Sequence, residues 1–279
     1  MKTPLQIDLR SIIRKRLPEG KGERIPGFIF TVLERLICQK ELNEMLRFGF
    51  PKEGYQFARA ILQHLDITIK VEGLENITPG RHVFVSNHPL GGLDGIALIA
   101  LLGERYGDDG IRFLVNDMLM NVDPLKKVFL PVNKFGAQGR DVARAIDESY
   151  ASGRQVMIFP AGLVSRLGEK GVIADLDWQK TFVTKSVEHG RDIIPIRFVA
   201  HNRPRFYRIA KWRKKLNVKV NLEQILLPSE VCHTRNVTFR IIIGKPISPE
   251  KLLAEGLSPK ESARKIRSEV YRLLPPEKI

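Results

Sequence analysis

The sequence predicts an α/β fold: a mostly parallel sheet flanked by helices, entered through an amino-terminal helical hairpin. Three observations point to it. Short β-branched runs bounded by Gly or Pro alternate with longer runs whose apolar residues recur at helical spacing, as strands joined by helical crossovers do. The 279 residues are 43% hydrophobic and 28% charged, which suits a globular core and excludes a disordered or fibrous chain. The longest apolar runs, such as Gly95 to Gly103, fall short of the roughly 18 residues that cross a bilayer.

In chain order, residues 1 to 25 are polar and punctuated by Gly and Pro. From Pro26 to Phe50 apolar residues fall at helical spacing (Ile29, Val32, Leu33, Leu36, Ile37, Leu42, Met45, Leu46). A second helical stretch runs from Tyr55 to Leu65, after Pro51 and Gly54. These two make the hairpin, and residues 1–66 are expected to form a basic, amphipathic segment ahead of an α/β domain over 67–279. Within that domain Ile67 to Val71, His82 to Ser86, Arg112 to Val115, Val128 to Val132, Val156 to Phe159, Ile193 to Val199 and Val237 to Ile243 read as strands. Gly92 to Glu104, Asp141 to Ala151 and Thr181 to Glu188 read as helices. No internal repeat or low-complexity tract is present.

With 46 Lys and Arg against 31 Asp and Glu, the net charge is +15, which favours an anionic partner. Basic residues thicken in two places. One is Arg10, Arg14, Lys15, Arg16, Lys21 and Arg24; the other runs from Arg203 to Lys219, interleaved with Phe206, Tyr207 and Trp212. That composition suits a membrane headgroup layer, a phosphate backbone with stacking aromatics, or a solvated helix face. Two cysteines, Cys38 and Cys232, exclude a disulfide scaffold and fit a reducing compartment. The first residues lack the apolar core of a signal peptide, so an intracellular chain that does not span the membrane is expected.

Loops at the carboxyl ends of such strands are where ligands usually sit, and two of them carry chemistry. His82 to Gly95 reads HVFVSNHPLGGLDG: a strand delivers Asn87-His88, a Pro-Leu-Gly-Gly turn follows, and Asp94 opens an apolar helix. A neutral imidazole can take a proton from a hydroxyl, and a carboxylate on its other nitrogen would fix the tautomer. Asp94 equally suits an N-cap and His88 a loop histidine with no task. The other histidines lack this setting, and no His, Cys, Asp and Glu set has zinc-site spacing. Val156 to Arg166 reads VMIFPAGLVSR, where a strand and a Pro-Ala-Gly turn lead to Ser165 and Arg166.

Together and in this order the two loops resemble the glycerolipid acyltransferase family, the lysophosphatidate acyltransferase-like enzymes. That family has an Asn-His-x4-Asp block after one strand and Phe-Pro-Glu-Gly-Thr-Arg-Ser after a later one. Asn87, His88 and Asp94 match the first; Phe159, Pro160, Gly162 and Ser165 match the second. Lys134 stands where the family's intermediate block has arginine, and IIPIRF around Pro195 is similar to its fourth block. The match covers roughly residues 67 to 245. Here the first block is longer by one residue, with Gly91-Gly92 the place to absorb it. The family Glu becomes Ala161, and its Thr-Arg pair becomes Leu163-Val164. Because that Glu and Arg help hold a phosphorylated glycerol in the family, the chain resembles instead the hemolysin-like, aminolipid O-acyltransferase branch. The segment DLDWQKTFV, from Asp175, is similar to that branch too.

The resemblance implies acyl transfer from acyl-CoA or acyl-carrier protein to the hydroxyl of a lyso-lipid, a monoacylated glycine or ornithine. His88 is the expected base and Asp94 its orienting partner. Asn87, Gly91, Gly92, Lys134, Phe159, Pro160, Gly162, Ser165 and Arg166 are expected around the substrates, with oxyanion donors near Gly91-Gly92 and Lys134 and Arg166 meeting acidic groups. No metal or other cofactor is called for. The expected partners are the lipid acceptor, the acyl donor and an anionic membrane surface at the cytoplasmic face, met peripherally or monotopically through Phe28, Ile29, Val32, Leu33 and Leu36; nucleic acid is disfavoured. Two alternatives stand beside this reading: lysophosphatidate acylation, and a lipid- or nucleic-acid-binding protein with decayed blocks.

Overall fold

The computed structural model describes residues 4–16, 25–132, 139–168, 171–216 and 222–274. In chain order the elements are α1 (Leu9–Arg16), α2 (Gly27–Leu36), α3 (Gln39–Gly49), α4 (Gly54–His64), β1 (Ile67–Glu72), β2 (His82–Ser86), α5 (Leu93–Tyr106), β3 (Ile111–Asn116) and β4 (Phe129–Val132). There follow α6 (Gly139–Ala151), β5 (Gln155–Ile158), β6 (Arg166–Leu167), β7 (Ile173–Ala174), α7 (Thr181–His189), β8 (Asp192–Val199), α8 (Pro204–Lys215), α9 (Leu227–His233), β9 (Val237–Ile243), α10 (Pro249–Ala254) and α11 (Pro259–Leu273). No helix among the described residues is long and apolar enough to cross a membrane.

Seven strands form one sheet in the order β1-β9-β8-β2-β5-β3-β4. From β8 to β4 all pairs are parallel; β9 joins β8 antiparallel and carries β1 parallel to itself. β6 and β7 form a separate antiparallel ribbon. β2 sits at the centre and is buried throughout. Its side chains alternate: Phe84 joins one apolar cluster with Phe57, Ile61, Leu93 and Leu98, while Val83 and Val85 join another with Phe182, Ile266 and Val270. The sheet is therefore covered on both faces, which is why its central strands read as near-continuous apolar runs. At the edge, β1 buries alternate residues less completely.

The helical stretch over 26–50 divides in two. Cys38 takes a left-handed backbone (φ 56°) between α2 and α3 and is buried against α9, its Sγ 3.6 Å from Ser229 Oγ. Tertiary contact decides this break, since nothing local in Leu36-Ile37-Cys38 stops a helix. α4 packs on α5, and its Phe57 and Ile61 share the core of Phe84 and Leu98. The boundary drawn at 66/67 thus passes through one apolar core. Five helices lie beyond those anticipated, α1, α8, α9, α10 and α11. The last two each start at Ser-Pro: Ser248 and Ser258 accept N–H bonds, and Ser258 with Glu261 completes a capping box.

At the amino-terminal edge of the sheet, away from the loops singled out above, Arg191 is fully buried. Its guanidinium donates to the carbonyls of Ser149, Tyr150, Ser152, Arg154 and His82, tying the end of α6 to β2 and β5. A cation suits the carbonyl end of a helix. Arg191→Met removes the guanidinium donor from five carbonyls and is expected to cost about 3 kcal/mol, a fall of about 5 °C in melting temperature. Thermal denaturation of the variant checks this.

Candidate active site

The site is built where β2 ends. From there the chain crosses to α5 on one face, whereas from β5 it passes to α7 on the other, so a crevice opens between the two strands. Asn87 makes the departure possible. Its side-chain amide, a copy of a peptide group, donates to Phe198 O at 2.9 Å and accepts from Phe198 N at 2.7 Å. It thereby continues the ladder to β8 while the backbone turns away. Both ends of the amide are consumed and Asn87 is fully buried, so it shapes the loop and does not meet a substrate.

His88 follows, with Nδ1 3.0 Å from Asp94 Oδ2. The same oxygen accepts from Leu90 N (2.9 Å) and Gly91 N (3.3 Å), and Oδ1 accepts from Gly95 N (2.8 Å). Asp94 lies in the first turn of α5, where the helix dipole favours an anion. Burial opposes the charge of this fully enclosed carboxyl, but His88 and the backbone N–H groups outweigh it and hold Asp94 below the ordinary aspartate range. An ionised carboxylate only accepts, so Nδ1 carries the proton and Nε2 is the basic nitrogen of the neutral ring. The helix-capping and base-orienting readings of Asp94 are thus both realised. The longer first block is accommodated in a turn where Gly91 takes φ 89°; a Cβ there would stand 3.1 Å from Val164 and 3.2 Å from Leu227. Gly91 N–H points at Asp94, which corrects its expected role as an oxyanion donor.

The second loop clasps the first. Phe159 stacks on the His88 ring at 4.1 Å between centroids, and Ser165 N donates to His88 O at 2.8 Å. The turn closes through Gly162 (φ 62°), whose N–H donates to Phe159 O, and the buried Pro160 accepts from Gln179 N. Asp175 joins the two loops. Buried, it accepts from His88 N (3.1 Å), from Ser165 Oγ and from Trp178 Nε1 (2.9 Å). Tyr271 OH accepts from Asp175 N, and Arg267 donates to its carbonyl. Burial pushes the Asp175 carboxyl up, against the three hydrogen bonds that favour its charge. Ser165 is consequently a buried support for the histidine, not a substrate ligand.

Arg166 is placed differently from expectation. Its guanidinium is 3.3 Å from the fully buried Glu223, which also binds Arg213 at 2.8 Å, and lies over the Phe206 ring at 5.6 Å. A buried carboxylate between two arginines holds both, so Arg166 belongs to an internal ion network. Lys134 lies outside the described residues. Phe206 and Tyr207, counted with the interfacial aromatics, are core residues; Trp212 is exposed. Asp147, Glu188 and His189 lie close enough to share an ion, but Lys185 already pairs with both acids.

Sequence reasoning passed over four residues of this assembly. Asp175 and Trp178 stand in the segment singled out above, and their three-residue spacing lets the carboxylate reach the indole within one turn. Tyr271 and Asn202, the latter donating to Pro89 O at 3.0 Å, carried no local signal because their partners are remote in the chain.

Two outcomes are expected. Because its folded pKa is depressed, ionised Asp94 stabilises the fold fully above about pH 4, and that contribution is lost as the pH falls through the depressed value. Asp94→Asn should therefore flatten the acid limb of stability against pH, followed by urea titrations; a limb as steep as the parent's would contradict an ionised dyad. Asp175→Ala should cost about 3 kcal/mol by leaving three buried donors unpaired, measured in the same titrations near neutral pH.

Comparison with known proteins shows the family and the fold. A family model described as acyltransferase matches residues 13–275. A lyso-glycine lipid O-acyltransferase from Phocaeicola vulgatus is 40% identical over 96% of this chain and 95% of its own length. Another from Bacteroides thetaiotaomicron is 38% identical over 96% of this chain and 97% of its own. The crystal structure of the 1-acyl-sn-glycerophosphate acyltransferase PlsC from Thermotoga maritima superposes with a TM-score of 0.51 at 16% identity, covering 88% of each chain, and shares the fold. The chain belongs to the acyltransferase family.

Proposed function

We propose that this acyltransferase moves a fatty acyl group from a thioester donor to the hydroxyl of a monoacylated glycine lipid, with His88 as general base. The observation that carries the reading is the His88–Asp94 pair at the carboxyl end of the central strand, in a chain so similar to lyso-glycine lipid O-acyltransferases. In the reaction, Nε2 of His88 takes the acceptor's hydroxyl proton as the oxygen attacks the thioester carbonyl. Asp94 stabilises the imidazolium. The tetrahedral intermediate collapses, the ester C–O bond stays, the C–S bond breaks, and His88 returns the proton to the departing thiolate. Phe159 and Asp175 keep the ring and backbone of His88 in place while this happens.

The acceptor assignment has a second support. Ala161 stands buried where the resembling family has a glutamate, and Arg166 is turned inward onto Glu223, which it shares with Arg213, so the second loop presents neither of the family's two phosphate-holding groups. The donor is acyl-CoA or acyl-carrier protein; the chemistry at His88 is the same for both. Because the acceptor is a lipid, the enzyme works at a membrane surface, peripherally and on the cytoplasmic side. Phe28, Ile29 and Val32 of α2, all exposed, would enter one leaflet.

Detergent-dispersed enzyme with labelled acyl-CoA or acyl-carrier protein should acylate monoacylated glycine in preference to lysophosphatidate. His88→Ala should lower turnover by about 10³-fold, with Asp94→Asn lowering it by a comparable factor. Preference for lysophosphatidate would overturn the acceptor, and turnover indifferent to His88 would overturn the mechanism.

A further inference from the structure

The basic stretch around Trp212 takes no part in the site, yet it is built for contact. α8 is two-faced. Phe206, Tyr207 and Ala210 are buried, and Arg213 is tied inward to Glu223. Arg208, Lys211, Trp212, Lys215 and Leu216 fall at i, i+3, i+4, i+7 and i+8, and all five are exposed. Trp212 is 70% and Leu216 68% accessible, among the largest exposures of any apolar side chain described. Arg208, Lys211 and Lys215 form no ion pair among the described residues, although neighbouring Arg203, Arg205 and Arg213 each have a carboxylate.

We infer that the outer face of α8 is a docking surface for an anionic bilayer, seated beside α2 and next to the catalytic loop. This rests on the reading that the acceptor is a membrane lipid. Three cations without counter-ions call for an anionic partner, and a tryptophan among them suits the headgroup layer, where an indole has both an apolar and a polar neighbour. The apolar side chains of this face protrude into solvent among the cations, as insertion between lipids requires. α2 adds to the same surface. Its Leu36 packs on the cluster that holds Phe206 and Tyr207, and its exposed Phe28 (69%) and Val32 (59%) repeat the protruding pattern.

The inner face of α8 connects this surface to the histidine. Val164 and Ile173, from the loop after β5, share the cluster of Phe206 and Tyr207. Tyr207 OH accepts from Asn202 N, and the Asn202 amide donates to Pro89 O, one residue beyond His88. A bilayer met by the outer face of α8 would therefore be one helix away from the elements that carry the catalytic loop.

The chain has two tryptophans, and Trp178 is buried, so a change in emission on binding reports Trp212. Full-length protein is mixed with phosphatidylcholine vesicles, with and without phosphatidylglycerol, containing brominated lipids, with neither acyl donor nor acceptor present. The expected result is quenching of Trp212 by brominated lipid in the anionic vesicles. The combined variant Arg208→Gln, Lys211→Gln, Lys215→Gln should reduce partition onto those vesicles by about a hundredfold at low salt. Its melting temperature should match the parent's, because the three side chains are exposed. Unquenched Trp212, or partition indifferent to the three cations, would overturn the inference. So would a Trp212 response to acyl-carrier protein with none to vesicles, which would make α8 a protein-docking face. Because the readout needs no turnover, it can fail while the acceptor assignment stands, or succeed while that assignment fails.

Discussion

One buried carboxylate organises the catalytic end of this molecule. Asp94 has no contact with water, yet it sits below its ordinary pKa because everything around it donates: His88 Nδ1, three backbone N–H groups and the positive end of α5. A charge enclosed in this way has only one low-energy arrangement of neighbours. The Pro89 to Gly92 turn, the start of α5 and the tautomer of His88 are therefore set together. The same bonds that stabilise the helix terminus leave the basic nitrogen at Nε2.

The loop that meets this turn from β5 does structural work through a second carboxyl. Asp175 gathers His88 N, Ser165 Oγ and Trp178 Nε1, and reaches α11 through Tyr271 and Arg267. Its pKa is raised by burial, which outweighs its hydrogen bonds, where that of Asp94 is lowered because the His88 ring bonds the Asp94 carboxyl directly. Farther along, Glu223 binds Arg166 and Arg213 inside the protein. Among the described residues, Arg166 and Arg213 are thus committed to Glu223. An acceptor without a phosphate matches such a site better than one with it.

Much of the architecture was legible because burial leaves a mark on local sequence. β2, β8 and β9 are apolar runs of β-branched residues bounded by breakers, and each forms where the pattern places it. The block from Asn87 to Asp94 was legible as chemistry because a histidine and an aspartate flank a Gly-Gly turn between a strand and a helix. The break at Cys38 was hidden, since it depends on α9, nearly 200 residues away. The inward turn of Phe206 and Tyr207 was hidden as well: a basic helix with aromatics reads alike whichever face the core covers.

Sequence by itself determined the α/β class, the positions of the seven strands of the main sheet and the candidacy of His88 and Asp94 as a pair, all of which rest on periodicity or on residues a few positions apart. Tertiary structure alone decided which polar residues remain available. Asn87 was a candidate ligand until Phe198 took both ends of its amide, Arg166 until Glu223 enclosed it, and Ser165 until Asp175 claimed its hydroxyl. A buried polar group must find a partner, and only the folded chain brings residues so distant in sequence into reach.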